Sequence, residues 1–407
     1  SELGVDKRWH IAMLNLQAGR QAKLATAFES ANTYLEQALD LISELHQHPW
    51  QTDYALMFGL HVDLVKVKNA CLLWQDAQHI SQRLYENSGD RLDKAVSLQL
   101  LIEQSTQRGE FATAIAYGYE ALALLEEDIP EQNLEHVLQS TIAEIRQQTE
   151  AVSKLQQGQL QRLDDKRLQH VLSILSSLDG AAYLTSAKLW QVLNALSVKI
   201  TLLHGVSAEG VAGLARFGQI LCGQLDGSYT EGTVFGQIAM VLSDRYPEQK
   251  GLVCFEMGLA INHWLHPLQE NVVCFQNGFQ AAMDSGVILY ADYNLMFQPY
   301  YRHYMGQEIP NNLTVTQQYI RFVEQSKNSL ANVLLSGLLP HLQRLTTDIT
   351  PEDWTYRSTQ FIQQAKDHHN SLAVAMHTIS AGQIHYLLGE WNAAEAALAM
   401  ASDLRPA

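Results

Sequence analysis

Two histidines in the middle of the sequence have a spacing that could serve a metal ion. His263 and His266 are three residues apart, which places both imidazoles on the same face of a helix. A structural zinc site needs four ligands and a catalytic one needs three plus a water, and no cysteine or carboxylate stands at a standard spacing to complete either set. We therefore interpret both as histidines at the surface or at the edge of a core, and expect no metal and no other cofactor.

One segment comes close to a nucleophile motif. GVSAEG, from Gly205 to Gly210, is one residue off the GxSxG pattern, and no strand pattern precedes it. Ser207 is therefore expected to cap a helix N-terminus. The sequence also contains no GxxxxGK[ST] phosphate loop, no HExxH and no CxxC. It predicts no catalytic residue, and we do not expect this chain to be an enzyme.

Aromatic residues recur between positions 290 and 304. A set at steps of three and four is typical of the core face of a helix, and it consists of Tyr290, Tyr293, Phe297, Tyr301 and Tyr304. Pro299 lies inside this stretch and should kink or break the helix.

Tyr300 and His303 fall off that stripe and are expected either to face a groove or to pack against neighbouring helices. Tyrosine and histidine offer amphipathic contact area at low entropic cost, which suits a binding surface. The candidate groove or partner contacts that the sequence predicts are Tyr293, Tyr300, His303, His263 and Trp264.

The charge balance excludes several kinds of partner. The 43 acidic and 27 basic side chains give a net charge of −16, and no long Lys/Arg cluster interrupts the acidic surplus. This argues against nucleic acid or an anionic membrane surface as the main partner, and no apolar run is long enough to span a bilayer. The surplus indicates either a solvated face or a groove for basic peptides. Four cysteines without a paired motif favour a reducing compartment, so we expect a cytoplasmic location.

Helical periodicity runs through most of the chain. Stretches such as 91–125 and 133–178 place apolar residues at i, i+3, i+4 and i+7. Alternating runs typical of strands are nearly absent, and there are only nine prolines. The sequence predicts an all-α fold.

A repeat of tetratricopeptide type is visible at the end of the chain, in residues 378–406. Its features are Gly382, Gly389, Trp391, Ala394, Leu398, Ala401 and Pro406. Two small residues twelve positions apart let paired helices approach closely, an aromatic fills the space beside them, and a proline ends the second helix. Weaker copies contain Gly19, Phe28, Ala31, Leu35 and Ala38, and then Gly109, Phe111, Ala114 and Ala121, with Ile102 where the close-approach glycine would stand.

These units predict an α-solenoid, a right-handed superhelix of helical hairpins. We expect N-terminal repeats in residues 1–160 and a continuous helical-repeat region in residues 161–407, which ends in the unit just described. A generic helical bundle with alanine-rich faces is the alternative.

The chain resembles the helical region that follows the AAA-type ATPase in large bacterial signalling proteins. The resemblance lies in segments such as AFESANTYLEQALDLI, WQTDYALMFGLH (Trp50 to His61), GEFATAIAYGYEALALL and NHWLHPLQENVVCFQNGFQAAMDSGVILYADYN. Such proteins often begin with a Ser/Thr-kinase-like domain and end in a histidine kinase. The resemblance implies that the catalytic domains lie outside this segment, so no functional residue is carried over. A similar helical array occurs in maltose-regulator-like transcription activators, where it receives an inducer.

Two functions follow as expectations. The first is a non-catalytic interaction and sensing scaffold that contacts a protein or peptide partner and the flanking domains of a larger signalling protein. The second is reception of a small-molecule inducer, with the aromatic cluster and the glycine-rich residues 205–236 as the pocket. The apolar face of Ala396, Leu398, Ala399 and Met400 makes a homodimer plausible. Because both ends look cut, we expect the chain to be a region of a longer protein.

Overall fold

The computed structural model describes residues 4–159, 161–223, 227–346, 348–368 and 370–403. Across these ranges the chain forms helices and turns, together with an isolated parallel bridge between Arg162 and Val206, so the all-α prediction is confirmed. The α-helices are, in chain order, α1 Val5–Leu24, α2 Phe28–Leu45, α3 Pro49–Thr52, α4 Tyr54–Ala70, α5 Trp74–Asn87, α6 Arg91–Gln107, α7 Phe111–Leu124, α8 Leu134–Gln147, α9 Thr149–Gln156, α10 Lys166–Ser177, α11 Asp179–Thr185, α12 Ala187–His204, α13 Ala208–Gly223, α14 Tyr229–Ser243, α15 Pro247–Glu256, α16 Leu268–Ser285, α17 Ile288–Met296, α18 Gln298–Tyr304, α19 Ile309–Gln325, α20 Ser329–Leu345, α21 Pro351–Asp367, α22 Ser371–Leu387 and α23 Trp391–Ser402. A π-helix, Met257–Ile261, and a 3₁₀ turn, Asn262–Trp264, follow α15.

The chain divides into two compact units. The first consists of Ser1–Ser153 and Leu160–Gly213, and the second of Lys154–Gln159 and Leu214–Ala407. The sequence predicts a division into residues 1–160 and 161–407 that is based on repeats. The two compact units do not test that division, so it stays a prediction. The right-handed superhelix also stays a prediction.

Five helical hairpins within the described residues share one kind of turn. In α1/α2, α4/α5, α6/α7, α19/α20 and α22/α23, three residues separate the helices, and the middle one is left-handed, with φ between 57° and 77°. The next residue then donates its N–H to a carbonyl five positions earlier, as from Ala27 to Ala22 O (2.9 Å) and from Glu390 to His385 O (2.8 Å). This is the Schellman arrangement, which satisfies carbonyls that a helix end leaves open. The left-handed residues are Thr26, Leu72, Gly109, Lys327 and Gly389.

Small residues lie where paired helices touch, as the repeat pattern predicts. An added Cβ at Gly382 would lie 3.4 Å from the carbonyl oxygen of Ala394 and 2.8 Å from Cγ of Leu398. Gly19 has the same relation to Leu35, whose Cγ would be 2.7 Å away. The expected contact between Gly382 and Ala394 is therefore confirmed, whereas Pro406 lies outside the described residues.

Each unit has an apolar core built from the inward stripes of its helices. In the first unit, α1, α2 and α4 contribute Ala12, Leu35, Ile42, Leu60 and Leu64 to one cluster. In the second, helices α16 to α20 contribute Phe275, Tyr300, Val323, Leu335 and Leu338 to another. Within the described ranges, no helix combines the length and the apolar character needed to cross a membrane.

The aromatic stretch does not form one helix, because Pro299 breaks it. Helix α17 ends at Met296, and α18 begins at Gln298 with Pro299 in its first turn. A proline is tolerated there because its missing N–H would have no partner in the first turn. The break predicted from Pro299 is confirmed.

Candidate functional site

A π-helix lies at the centre of the aromatic region of the second unit. Its wider turn carries one more residue than an α-turn, and such segments occur frequently at functional sites. Side chains from outside the segment bond its carbonyls: Asn271 Nδ2 donates to Gly258 O (2.5 Å) and Tyr301 Oη donates to Leu259 O (3.1 Å). The carbonyl of Ala260 accepts from Trp264 Nε1 at 3.0 Å. These bonds stabilise the irregular backbone that leads into Trp264.

Trp264 presents an aromatic surface to solvent. The side chain is 42% exposed, and its ring stacks on that of Tyr229, with centroids 4.5 Å apart and planes 20° apart. The centroid of the His263 ring lies 4.8 Å from that of the Trp264 ring, and Leu265 is half exposed. Burial lowers the pKa of His263, so this ring is neutral at pH 7. We call Tyr229, His263, Trp264 and Leu265 the Trp264 patch.

The other sequence-predicted contacts are buried in varying degree. Tyr300 is only 1% exposed, and its hydroxyl donates to Leu334 O at 2.8 Å. Of the two alternatives expected for Tyr300, packing against neighbouring helices is therefore the one observed. His303 is also buried, and burial lowers its pKa. Tyr293 is half-buried, with its ring 5.4 Å from that of Phe255. Of the five predicted contacts, Trp264 has the most exposed side chain, at 42%. Contact with a partner stays a prediction for all five.

A buried histidine pair in the second unit escaped the sequence reasoning. The indole N–H of Trp354 can only donate, and it lies 3.1 Å from His341 Nδ1. Neutral His341 therefore carries its proton on Nε2, and this nitrogen lies 3.1 Å from His377 Nδ1, whose role as donor or acceptor depends on the His377 tautomer. Gly337 O lies 2.9 Å from that same nitrogen. The sequence signal was weak, since each histidine is simply embedded in an apolar helical stretch.

Burial keeps this pair uncharged. Both rings are at most 1% exposed, and desolvation lowers the pKa of His341 well below its usual value and that of His377 to about 4. The pair therefore packs and bonds α20, α21 and α22 together at neutral pH and does not transfer protons there. His266, by contrast, lies near the surface beside Glu270, with His266 Nδ1 3.2 Å from Glu270 Oε2.

Two cavities differ in size and chemistry. One in the second unit, of about 460 Å³, is lined by α20 and α21 and is mainly apolar; its residues are Ser329, Leu330, Val333, Phe361, Gln364, Ala365, His368 and Asn370. One in the first unit, of about 210 Å³, has an apolar floor and a rim that includes Arg167 and Glu127, which pair with each other at 3.1 Å. Only the larger volume falls in the range of roughly 300–1,000 Å³ typical of ligand pockets.

Several glycines in the described part of 205–236 serve close packing. An added Cβ at Gly213 would lie 2.4 Å from Ser197 Oγ, and one at Gly236 would lie 2.4 Å from Met257 Sδ. These two glycines allow neighbouring helices to approach closely, and an inducer pocket in this segment stays a prediction. Ser207 caps α13 as predicted, because its Oγ accepts from Gly210 N at 3.2 Å.

The chain is distantly similar to a signalling protein of another organism. It is 24% identical over 392 residues to hybrid signal transduction histidine kinase G of Dictyostelium discoideum, an alignment that includes 85% of this chain. The chain spans 11% of the length of that relative. No family model matches the sequence. The tetratricopeptide identity stays a prediction.

Proposed function

We propose that this chain is a non-catalytic interaction and sensing module of a larger signal-transduction protein that contains a histidine kinase. The observation that carries the proposal is the likeness to a hybrid histidine kinase along 85% of the chain. The module contacts a protein or peptide partner and the flanking domains, which include an AAA-type ATPase and a Ser/Thr-kinase-like domain. It holds no cofactor and lies in the cytoplasm.

The Trp264 patch is the contact surface of this module. An exposed tryptophan stacked on a tyrosine combines apolar area with rigidity, and tryptophan and tyrosine are enriched among the residues that dominate binding energy. The π-helix beneath it fixes the position of Trp264 through the hydrogen bond to Ala260 O. Binding of a partner would change the conformation of the module only if the partner binds one of two conformations more tightly than the other. The change in conformation would then alter the activity of the catalytic domains.

The test has two steps. The reading frame that encodes the chain should also encode a kinase domain, and a frame without one contradicts the proposal. In the intact protein, Trp264→Ala should change the autophosphorylation rate by a factor of about three or more, consistent with the loss of a contact worth roughly 1 kcal/mol. Tyr356→Ala is the matched control, because Tyr356 is 67% exposed on α21 and lies outside the patch. Equal rates for both variants would exclude the patch as the contact surface.

A second candidate function, reception of a small apolar ligand, is favoured by the 460 Å³ cavity between α20 and α21. A ligand bound there should raise the melting temperature of the chain by mass action. Val333→Trp fills the cavity and should abolish that shift, while Tyr356→Ala should leave it in place. Absence of any ligand-induced shift in a broad screen of apolar metabolites counts against this function.

A further inference from the structure

The smaller cavity, in the first unit, combines an aliphatic floor with a rim that carries both charges. Helices α10 and α12 and the segment that follows α7 line its volume of about 210 Å³. The floor includes Val171, Leu175 and Ile200, which are at most 8% exposed, and the rim includes Glu127 and Arg167. All of these residues belong to the first unit. The cavity therefore suits a ligand with an apolar body and a charged end.

The cation and the anion of the rim are neighbours. Arg167 Nη1 donates to Glu127 Oε1 at 3.1 Å and to Leu125 O at 2.6 Å. The bond to the backbone holds the guanidinium at the start of α10, where the N-terminal end of the helix also favours an anion. Both side chains of the pair are more than a third exposed, so their mutual attraction contributes little to folding. A ligand can therefore replace either partner of this pair at small cost.

The other titratable groups of the lining do not give the rim an excess of one charge. Lys199 is already paired with a residue of α8, because its Nζ lies 2.6 Å from Glu144 Oε2. Asp128 and His204 are exposed at the mouth. His204 is the last residue of α12, whose C-terminal end favours a cation. The mouth thus offers surroundings for an anionic group and for a cationic group of the same ligand.

A ligand with a single charge fits this rim poorly. A fatty acid would bring its carboxylate beside Glu127, and an alkylamine would bring its ammonium beside Arg167, so each would meet a like charge. A hydrocarbon would take water from both groups and give nothing in return. An α-amino acid carries its ammonium and its carboxylate on one carbon, and these groups are neighbours just as Glu127 and Arg167 are. At roughly 30 Å³ for each water molecule, the cavity holds about seven water-sized groups, which matches a branched aliphatic amino acid.

We infer that this cavity binds a free α-amino acid with a branched aliphatic side chain, such as leucine. Arg167 binds the carboxylate, Glu127 binds the ammonium, and the aliphatic floor receives the side chain. The inference goes beyond the proposed contact with a partner, because it gives the module a ligand of its own. It uses neither the Trp264 patch nor the cavity between α20 and α21.

The first test compares L-leucine with two analogues that each lack one of its charges. Leucine should bind the full chain one to one in titration calorimetry, with a Kd of about 1 mM or tighter. Isoamylamine, which lacks the carboxylate, and isocaproate, which lacks the ammonium, should each bind at least about tenfold more weakly. Equal binding of leucine and either analogue overturns the inference. So does the absence of both a binding signal and a rise in melting temperature at about 10 mM leucine.

The second test removes the anion of the rim. Glu127→Gln should weaken leucine binding by about tenfold or more, and the variant should no longer distinguish leucine from isocaproate. Glu126→Gln is the matched control, because Glu126 is the adjacent residue and pairs with Arg91 at 2.7 Å; it should change affinity by less than about twofold. Unchanged binding in Glu127→Gln, or an equal loss in both variants, contradicts the inference. None of these outcomes bears on the Trp264 patch, which the Trp264→Ala variant tests separately in the intact protein.

Discussion

The first and last hairpins, α1/α2 and α22/α23, have the same local construction but different surroundings. Both use a Schellman turn, and both place a glycine against a leucine of the second helix. Leu35 is enclosed by α4, while Leu398 is 47% exposed. Local sequence is thus sufficient to form the hairpin, but the free energy that each contact contributes depends on a helix that the hairpin sequence does not contain.

The largest expected difference concerns the two leucines. Leu35→Ala should cost about 3 kcal/mol of unfolding free energy, because it leaves a cavity in an enclosed core. Leu398→Ala should cost less than about 1 kcal/mol, since the side chain already contacts water. Hydrogen exchange of the α1/α2 and α22/α23 amides measures both effects locally. Similar costs at the two positions would show that Leu398 is covered in solution.

Acidification should destabilise both ends of the chain. Burial lowers the pKa of His61 on α4 and of His377 on α22 to about 4, from about 6.5 when unfolded. The unfolded state therefore binds more protons between these pH values, so the stabilising contribution of each histidine is complete above pH 6.5 and is lost as the pH falls towards 4. Between pH 7 and pH 5 the loss is on the order of 2 kcal/mol per histidine.

Carboxylates also titrate on acidification, so a variant is needed to isolate the contribution of one histidine to the pH dependence of stability. His61→Met removes the titrating ring, so exchange in α1/α2 and α4 should depend on pH by about one proton less than in wild type. Exchange in α22 should keep its full pH dependence. An unchanged slope in the first hairpin would mean that His61 is charged or solvated in the folded protein.

Substitution of the two glycines should have unequal effects. An alanine Cβ at Gly19 would lie 2.7 Å from Leu35 Cγ and 3.3 Å from Leu35 N, and an enclosed Leu35 cannot move away. Overpacking of this kind costs roughly 1–3 kcal/mol, which exceeds the gain in helix propensity of about 1 kcal/mol. At Gly382 the half-exposed Leu398 can rotate aside, so Gly382→Ala should be close to neutral in thermal unfolding. A large loss at Gly382 would contradict the exposure of Leu398.

Local features were the predictable part of this molecule. Each of the features predicted correctly depends on residues that are close in sequence, at most one hairpin apart. They are the helical periodicity, the break at Pro299, the cap at Ser207 and the contact of Gly382 with Ala394. For Tyr300 the sequence left two alternatives, a groove or packing against neighbouring helices, and its exposure of 1% supports the second.

Contacts between distant segments could not be predicted from the same patterns. His341 and His377 are 36 residues apart and look like ordinary members of apolar helices, so nothing local indicates that their nitrogens lie 3.1 Å from each other. Exposure of Leu398 likewise depends on what packs outside the hairpin. Leu35 and Leu398 occupy the same position in the glycine–alanine–leucine spacing of their hairpins. Only their tertiary surroundings make one buried and the other half exposed.

The smallest expected effect concerns the turns, where the left-handed residue differs between the two hairpins. Thr26 has a φ of 57° and Gly389 a φ of 77°, and a left-handed conformation costs an L-residue with a side chain roughly 1–2 kcal/mol. Thr26→Gly should therefore stabilise the first hairpin by about 0.5 kcal/mol, because the greater freedom of glycine in the unfolded chain offsets part of the relief. Gly389→Thr should destabilise the last hairpin by about as much, and an added Cβ there would meet no atom within 4 Å, so the effect is one of backbone strain alone. Thermal unfolding of the two single variants measures both signs, and a change in the same direction in both would show that the turns are not equivalent.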